Sequence, residues 1–134
     1  MKIEPYLFFD GRCDEAIEFY KQVLDAKVDM LMRFSESPDP TQIPPGSENK
    51  VMHGSLLIGD SRIMVSDGMC QGQAKFEGVS LSITAKDVIQ AEQLFAALSA
   101  DGQVQMPMGE TFFSPRFGMV ADKFGVSWMV VVAR

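Results

Sequence analysis

One order of elements is legible twice along this 134-residue chain: a strand, a helix, then three strands. In the first half "IEPYLFF" reads as a strand ended by "DG", "CDEAIEFYKQVLDA" as a helix and "KVDMLMRF" as a strand. "KVMHGSLLIG" and "SRIMVSD" then form a hairpin across a two-residue "GD" turn. In the second half "VSLSITA" is a strand and "KDVIQAEQLFAALSADG" a helix. "QVQMPM", "FGMVA" and "GVSWMVVV" follow as three strands, the last two joined through "ADKFG". Asp87, at the start of the second helix, follows Asp14, at the start of the first, by about 73 residues, a duplication of pattern with negligible sequence identity. One βαβββ unit has a single helix with which to cover a sheet face. Two units are therefore expected to pair, share a core and leave a cleft between curved sheets. The predicted fold class is α+β: two βαβββ units with pseudo-twofold symmetry forming a curved mixed sheet and cleft. A single domain is expected over 1–134, with the first unit at 1–67, the second at 78–134 and a linker at 68–77.

Local signals sharpen this outline. Ile17, Tyr20, Val23 and Leu24 make an apolar stripe on the first helix, whose first turn carries Asp14 and Glu15, where the helix dipole favours carboxylates. In the second helix Asp87 is the expected N-cap, Gln90 its capping-box partner and Gly102 the residue past the C-terminal end. Its expected buried stripe is Val88, Ala91, Leu94, Phe95 and Leu98. Pro5 inside the first strand predicts a place at a sheet edge. "SESPDPTQIPPGSENK" holds four of the seven prolines and reads as an extended loop.

Composition narrows the function classes. With 18 acidic against 12 basic residues the net charge is −6, and no Lys/Arg cluster exists to grip a phosphate backbone, so no nucleic-acid partner is expected. No apolar run approaches the ~20 residues of a membrane span, and the first residues do not read as a signal peptide, so no membrane partner is expected either. The two cysteines, Cys13 and Cys70, are far apart and form no CxxC, which points to reduced thiols and a cytoplasmic protein.

The stretches "PYLFFDGRCDEAIEFYKQVL", "MHGSLLIGDSRIMVSDG" and "ETFFSPRFGMVADKFGVSWMV", set on paired βαβββ units, resemble the PhnB-like proteins of the vicinal oxygen chelate superfamily. That superfamily includes glyoxalase I, bleomycin-binding proteins and extradiol dioxygenases. The resemblance implies a glyoxalase-like fold and a homodimer, with the "LFF" and "TFF" aromatics offering apolar contact area. Sequences of this type also carry a 3-demethylubiquinone methyltransferase label. "FFDGRCDEA" has one glycine where a methyl-donor site needs a glycine-rich turn, so that activity is not expected.

Metal-dependent members of the superfamily place one ligand on each of four strands. Carried onto this chain strand by strand, those positions fall on Pro5, Met64, Ser80 (or Val79) and Met129, none of which suits zinc, nickel or iron. No metal and no other cofactor is expected. Period-two alternation about Met64 and Met129 predicts that Arg62, Ser66, Ser127 and Val131 also face the cleft. It sets Ser82 beside Ser80, and Leu7 and Phe9 beside Pro5. Ile63, Val65, Leu81, Ile83, Trp128 and Val130 are expected to back onto the helices. A lining of apolar, thioether and hydroxyl groups fits a small, largely apolar ligand, although the same methionines are equally suited to core filling.

Two titratable residues are catalytic candidates. His53, the only histidine, has a pKa that lets it exchange a proton near neutrality, or it is a strand residue satisfied by a neighbour. Glu110, between Met108 and Phe112, is expected to be partly desolvated and to act as a base or as the partner of His53 or Arg116, unless it is a solvated loop residue. Phe112 and Phe113 are expected to cover the cleft mouth or a dimer contact. Cys13, at a helix start, either has its pKa lowered by the helix dipole or is merely a poor cap. The functions that remain are a metal-free binder of a small apolar molecule, a glyoxalase- or dioxygenase-type enzyme with a metal held by His53, Glu110 and a third group, and a drug-sequestering resistance protein.

Overall fold

A computed structural model describes residues 1–39, 43–68 and 74–134. The chain divides into two compact units, Met1–Ala74 and Lys75–Arg134. The first contains β1 (Tyr6–Phe8), α1 (Cys13–Leu24), β2 (Lys27–Arg33), β3 (Val51–Ile58) and β4 (Ser61–Ser66), with a short 3-10 turn at Phe34–Glu36. The second contains β5 (Leu81–Ala85), α2 (Val88–Ser99), β6 (Gln103–Gly109), β7 (Phe117–Ala121) and β8 (Ser127–Val132). Each unit is one βαβββ motif, as the element order predicts.

Both units pair their strands in one way. The sheet orders are β1-β4-β3-β2 and β5-β8-β7-β6, with the outer pairs β1·β4 and β5·β8 parallel and the rest antiparallel. A parallel pair needs a crossover, and the helix with two further strands supplies it. The β3–β4 hairpin turns at Gly59 and Asp60, since Ile58 and Ser61 are paired, and Gly59 takes the positive φ such a turn requires. β1 is an edge strand, as Pro5 implies. It starts at Tyr6, later than the predicted Ile3.

In the first unit α1 buries Ala16, Ile17, Phe19, Tyr20 and Leu24, with Val23 only half-buried. Its N-terminus is closed from a distance by Asp67, a buried carboxylate just past β4. Asp67 Oδ1 accepts from Gly11 N at 2.7 Å and Cys13 N at 2.8 Å, and Oδ2 accepts from Val51 N at 2.9 Å. One side chain thus ties the β1–α1 turn, the first helical turn and the start of β3 together, and satisfies donors that the helix cannot satisfy itself. Arg33 adds a two-pronged pair with Asp14, both contacts at 2.9 Å.

In the second unit α2 buries Ala91, Phe95 and Leu98, while Val88 stays exposed. Asp87 caps it as expected, accepting from Gln90 N at 2.8 Å, and the Gln90 side chain accepts from Lys86 N at 2.7 Å. The C-terminal end differs from expectation. Asp101 takes the left-handed conformation (φ 58°), and Gly102 is needed for close approach: a Cβ there would strike the carbonyl oxygen of Ala121. Gly118 lies under α2, where a Cβ would come within 2.8 Å of Phe95 Cε2. Gly118→Ala is therefore expected to lower the melting temperature by several degrees, about 1–3 kcal/mol, in a thermal unfolding experiment.

Beyond β7, Asp122 acts as Asp67 does. Its Oδ1 accepts from Phe124 N at 2.9 Å and Val126 N at 3.1 Å, and its Oδ2 from Trp128 Nε1 at 2.8 Å. The proline-rich loop contains the 3-10 turn, and its residues 40–42 lie outside the described ones, as do 69–73 of the expected linker, including Cys70.

Candidate functional site

Each sheet has one face under its helix and one face without it. Register decides which side chains stand on the open face, because laterally paired residues share a face. In the second unit Met129 pairs with Met119 and with Ser82, and Trp128 pairs with Leu81 and Val120. Trp128 and Val130 are buried, so Ser127, Met129 and Val131 stand on the open side, as alternation predicts, and Met119, paired with Met129, stands there with them. Ser80 Oγ lies 2.7 Å from Ser127 Oγ, and Ser127 Oγ donates to Gln105 Oε1 at 3.0 Å. That contact sets Ser80 on the face of Ser127.

These hydroxyls line an open groove of about 700 Å³ together with Gln105, Met106, Met119 and Phe76. The thioethers and the phenyl ring give an apolar wall, and the Ser80–Ser127–Gln105 chain gives a short polar track along it. Such a groove accepts an apolar body with one or two hydrogen-bonding groups. Gln105, Met106, Met119 and Phe76 were not among the expected site residues. Met119 had a signal, since it sits mid-strand in "FGMVA", whereas Phe76 lies in the stretch read as linker.

In the first unit one expectation is corrected. Tyr6 pairs with Met64, Leu7 with Val65 and Phe8 with Ser66. Leu7 and Phe9 are therefore on the helix side, both buried, with the Phe9 ring 6.2 Å from that of Tyr20 on α1. Tyr6 and Phe8 take the places on the open face that Leu7 and Phe9 were expected to hold. Met64 is half-buried there. Ser66 is buried with its hydroxyl committed, donating to Met52 O at 2.8 Å and accepting from Gly68 N at 2.8 Å. Arg62 is engaged by Ser55, Asp29 and Glu4.

His53 stands on this face beside Tyr6: Tyr6 Oη lies 2.7 Å from His53 Nδ1, and the ring centroids are 5.5 Å apart. The partner of His53 is thus a phenol. Glu110 is exposed and paired with Arg134 Nη2 at 3.2 Å, while Arg116 Nε donates to Glu92 at 2.8 Å. The expected desolvation of Glu110, and its pairing with His53 or Arg116, are therefore corrected: the loop after β6 holds it out in solvent. Phe112 is 93% exposed, its ring set edge-on to Phe113, which in turn packs on Phe117.

Cys13 takes the unreactive of its two readings. Its thiol is buried, and burial together with the Asp67 and Asp14 carboxylates pushes its pKa far above the ordinary thiol value. The helix dipole loses to desolvation here. In a Cys70→Ser background, Cys13 is expected to react with a disulfide reagent at least about a hundredfold more slowly in the native than in the urea-unfolded state.

A family model described as 3-demethylubiquinone-9 3-methyltransferase matches residues 1–131. The chain belongs to this family. Within it, protein YjdN of Escherichia coli is 35% identical over the whole of this chain and 97% of its own length. The crystal structure of PA1353 from Pseudomonas aeruginosa is 38% identical, covers 99% of this chain and 98% of that one, and superposes with a TM-score of 0.88. A PhnB protein from Bacillus cereus, titled a putative 3-demethylubiquinone-9 3-methyltransferase, is 30% identical over 99% and 100% of the two chains, with a TM-score of 0.83. In fold alone, the family member also matches a glyoxylase/bleomycin resistance protein/dioxygenase domain from Frankia, with a TM-score of 0.66 at 15% identity. The fold is glyoxalase-like.

The methyl donor implied by the family's description does not fit the β1–α1 crossing. The backbone N–H groups of Gly11 and Cys13 that open there already donate to the buried Asp67 carboxylate. The metal that the resemblance implies fits no better: Met64, Ser80 and Met129 are poor ligands for it, and Pro5, expected on the open face, shares the helix-side phase of Leu7 and Phe9. Among the described residues no group of three or more His, Cys, Asp or Glu side chains is placed to hold a metal ion.

Proposed function

We propose that this family member binds a small, largely apolar molecule against the open sheet face of its second unit. The observation that carries this reading is the groove of about 700 Å³ with thioether and phenyl walls and the Ser80–Ser127–Gln105 track. Ser80 and Ser127 supply hydroxyls to the ligand, Met106 and Met119 a deformable apolar floor. The same reading takes residues 1–134 as one glyoxalase-like domain of a cytoplasmic protein without nucleic-acid or membrane partners. It also takes the protein to be a homodimer, supported by the exposed Phe112 and Phe113 rings.

The test is titration with the uncharged fluorophore N-phenyl-1-naphthylamine. Saturable micromolar binding is expected, weakened at least about tenfold by Met119→Lys, which sets a charge into the apolar wall. No saturable binding, or binding indifferent to Met119→Lys, would overturn the proposal.

A further inference from the structure

The polar track in the groove of the second unit is richer in acceptors than in donors. Gln105 Oε1 is a carbonyl oxygen and can only accept, so the Ser127 hydroxyl gives its hydrogen to it at 3.0 Å. The Ser80 hydroxyl in turn donates to Ser127 Oγ at 2.7 Å. Both hydroxyl hydrogens are thereby committed, and what Ser80 and Ser127 still offer a ligand is lone pairs. Of the three side chains only the Gln105 amide nitrogen retains hydrogen to give.

One formal charge lines this groove, the carboxylate of Glu77, beside the apolar wall of Phe76, Met106 and Met119. Among the described residues no ion pair or hydrogen bond engages Glu77. Lys75, two residues before it, neither lines the groove nor pairs with it. Register sets Ser82, Met129 and Met119 in one row of the same face, and Thr84, Val131 and Phe117 in the next. These rows add no charge of either sign.

Both observations select the same kind of group. A protonated primary amine brings three donors, no acceptor and a positive charge. A carboxylate brings acceptors alone, and would meet the Glu77 charge and the serine lone pairs unfavourably. We infer that the groove takes a protonated primary amine on an apolar body, its ammonium donating to the Ser80 and Ser127 oxygens and balanced by Glu77. The inference rests on the groove reading above and names the class of molecule that the groove admits. Glu77 is the specificity-determining residue: the walls take up an apolar body, and the carboxylate chooses among such bodies by charge. Glu77 is exposed, so water and salt screen the attraction and the expected preference is modest.

2-Naphthylmethylamine, protonated at neutral pH, and 2-naphthalenemethanol share one outline and differ in charge. Measured by displacement of N-phenyl-1-naphthylamine at low ionic strength, the amine is expected to bind about fivefold more tightly than the alcohol. Glu77→Gln should bring that ratio below about twofold, and about 0.5 M sodium chloride should shrink it as well. The ratio is the readout because a loosened groove would weaken both probes alike. Asp60→Asn removes an equal charge from the β3–β4 turn of the first unit and should leave the ratio at about fivefold. Equal affinities in the wild type, a ratio that Glu77→Gln leaves intact, or one that falls equally with Asp60→Asn would overturn the inference. If both probes displace the fluorophore equally and Met119→Lys weakens both, this inference fails and the groove reading stands. If neither the probes nor the fluorophore bind, both fail.

Discussion

Asp67→Ala is expected to lower the unfolding free energy by about 3–5 kcal/mol, enough to consume much of the stability of a domain this size. The reason is the number and kind of groups left behind. The carboxylate accepts from three backbone N–H groups, on Gly11, Cys13 and Val51, and is itself 1% exposed. Alanine supplies no acceptor, and water has poor access to replace it. Asp67→Asn retains one carbonyl oxygen in the same outline and should lose less, about 1–3 kcal/mol. Urea unfolding of the three proteins checks the order. Equal midpoints for wild type and Asp67→Ala would show that water takes over the three donors.

Gly102→Ala is the second change expected to be costly, at about 2–4 kcal/mol. A methyl group at Gly102 points at the Ala121 carbonyl oxygen and lies about 3.1 Å from the backbone of Asp122. Backbone cannot swing aside as a side chain can. Relief requires moving β6 from β7, where Gln103 pairs with Ala121, or shifting Asp122 away from Phe124, Val126 and Trp128. The result should be a lower midpoint in thermal unfolding, together with a blue-to-red shift in Trp128 fluorescence as Asp122 loosens its hold on the indole nitrogen. An unchanged spectrum with a lower midpoint would confine the damage to the α2–β6 joint.

Much of the architecture was legible because helix and strand periods differ and the punctuation is strong. Asp87 with Gln90 marked the start of α2, and the "GD" dipeptide marked the β3–β4 turn with the right residue count. The open face of β8 was legible too, since "SWMVVV" sets bulky Trp128 against Ser127 and fixes the phase of alternation. In "PYLFF" every residue is apolar or aromatic, so alternation has no contrast from which to choose a side. The choice was made by the parallel pairing of Tyr6 with Met64, far along the chain. Partners were least legible of all. His53 meets Tyr6 across 47 positions and Glu110 meets Arg134 across 24, and neither spacing leaves a local mark. Gly102 carried a correct flag for a wrong reason: the glycine was needed, but to clear a neighbouring strand, while Asp101 made the turn.

The strand that presents Tyr6 is only three residues long and hydrogen-bonds along one side, to β4. Short edge strands fray first, on timescales far shorter than global unfolding. Each fraying event carries the Tyr6 hydroxyl away from His53 Nδ1. The lifetime of that contact is thus set by the docking of three residues at the rim of a sheet.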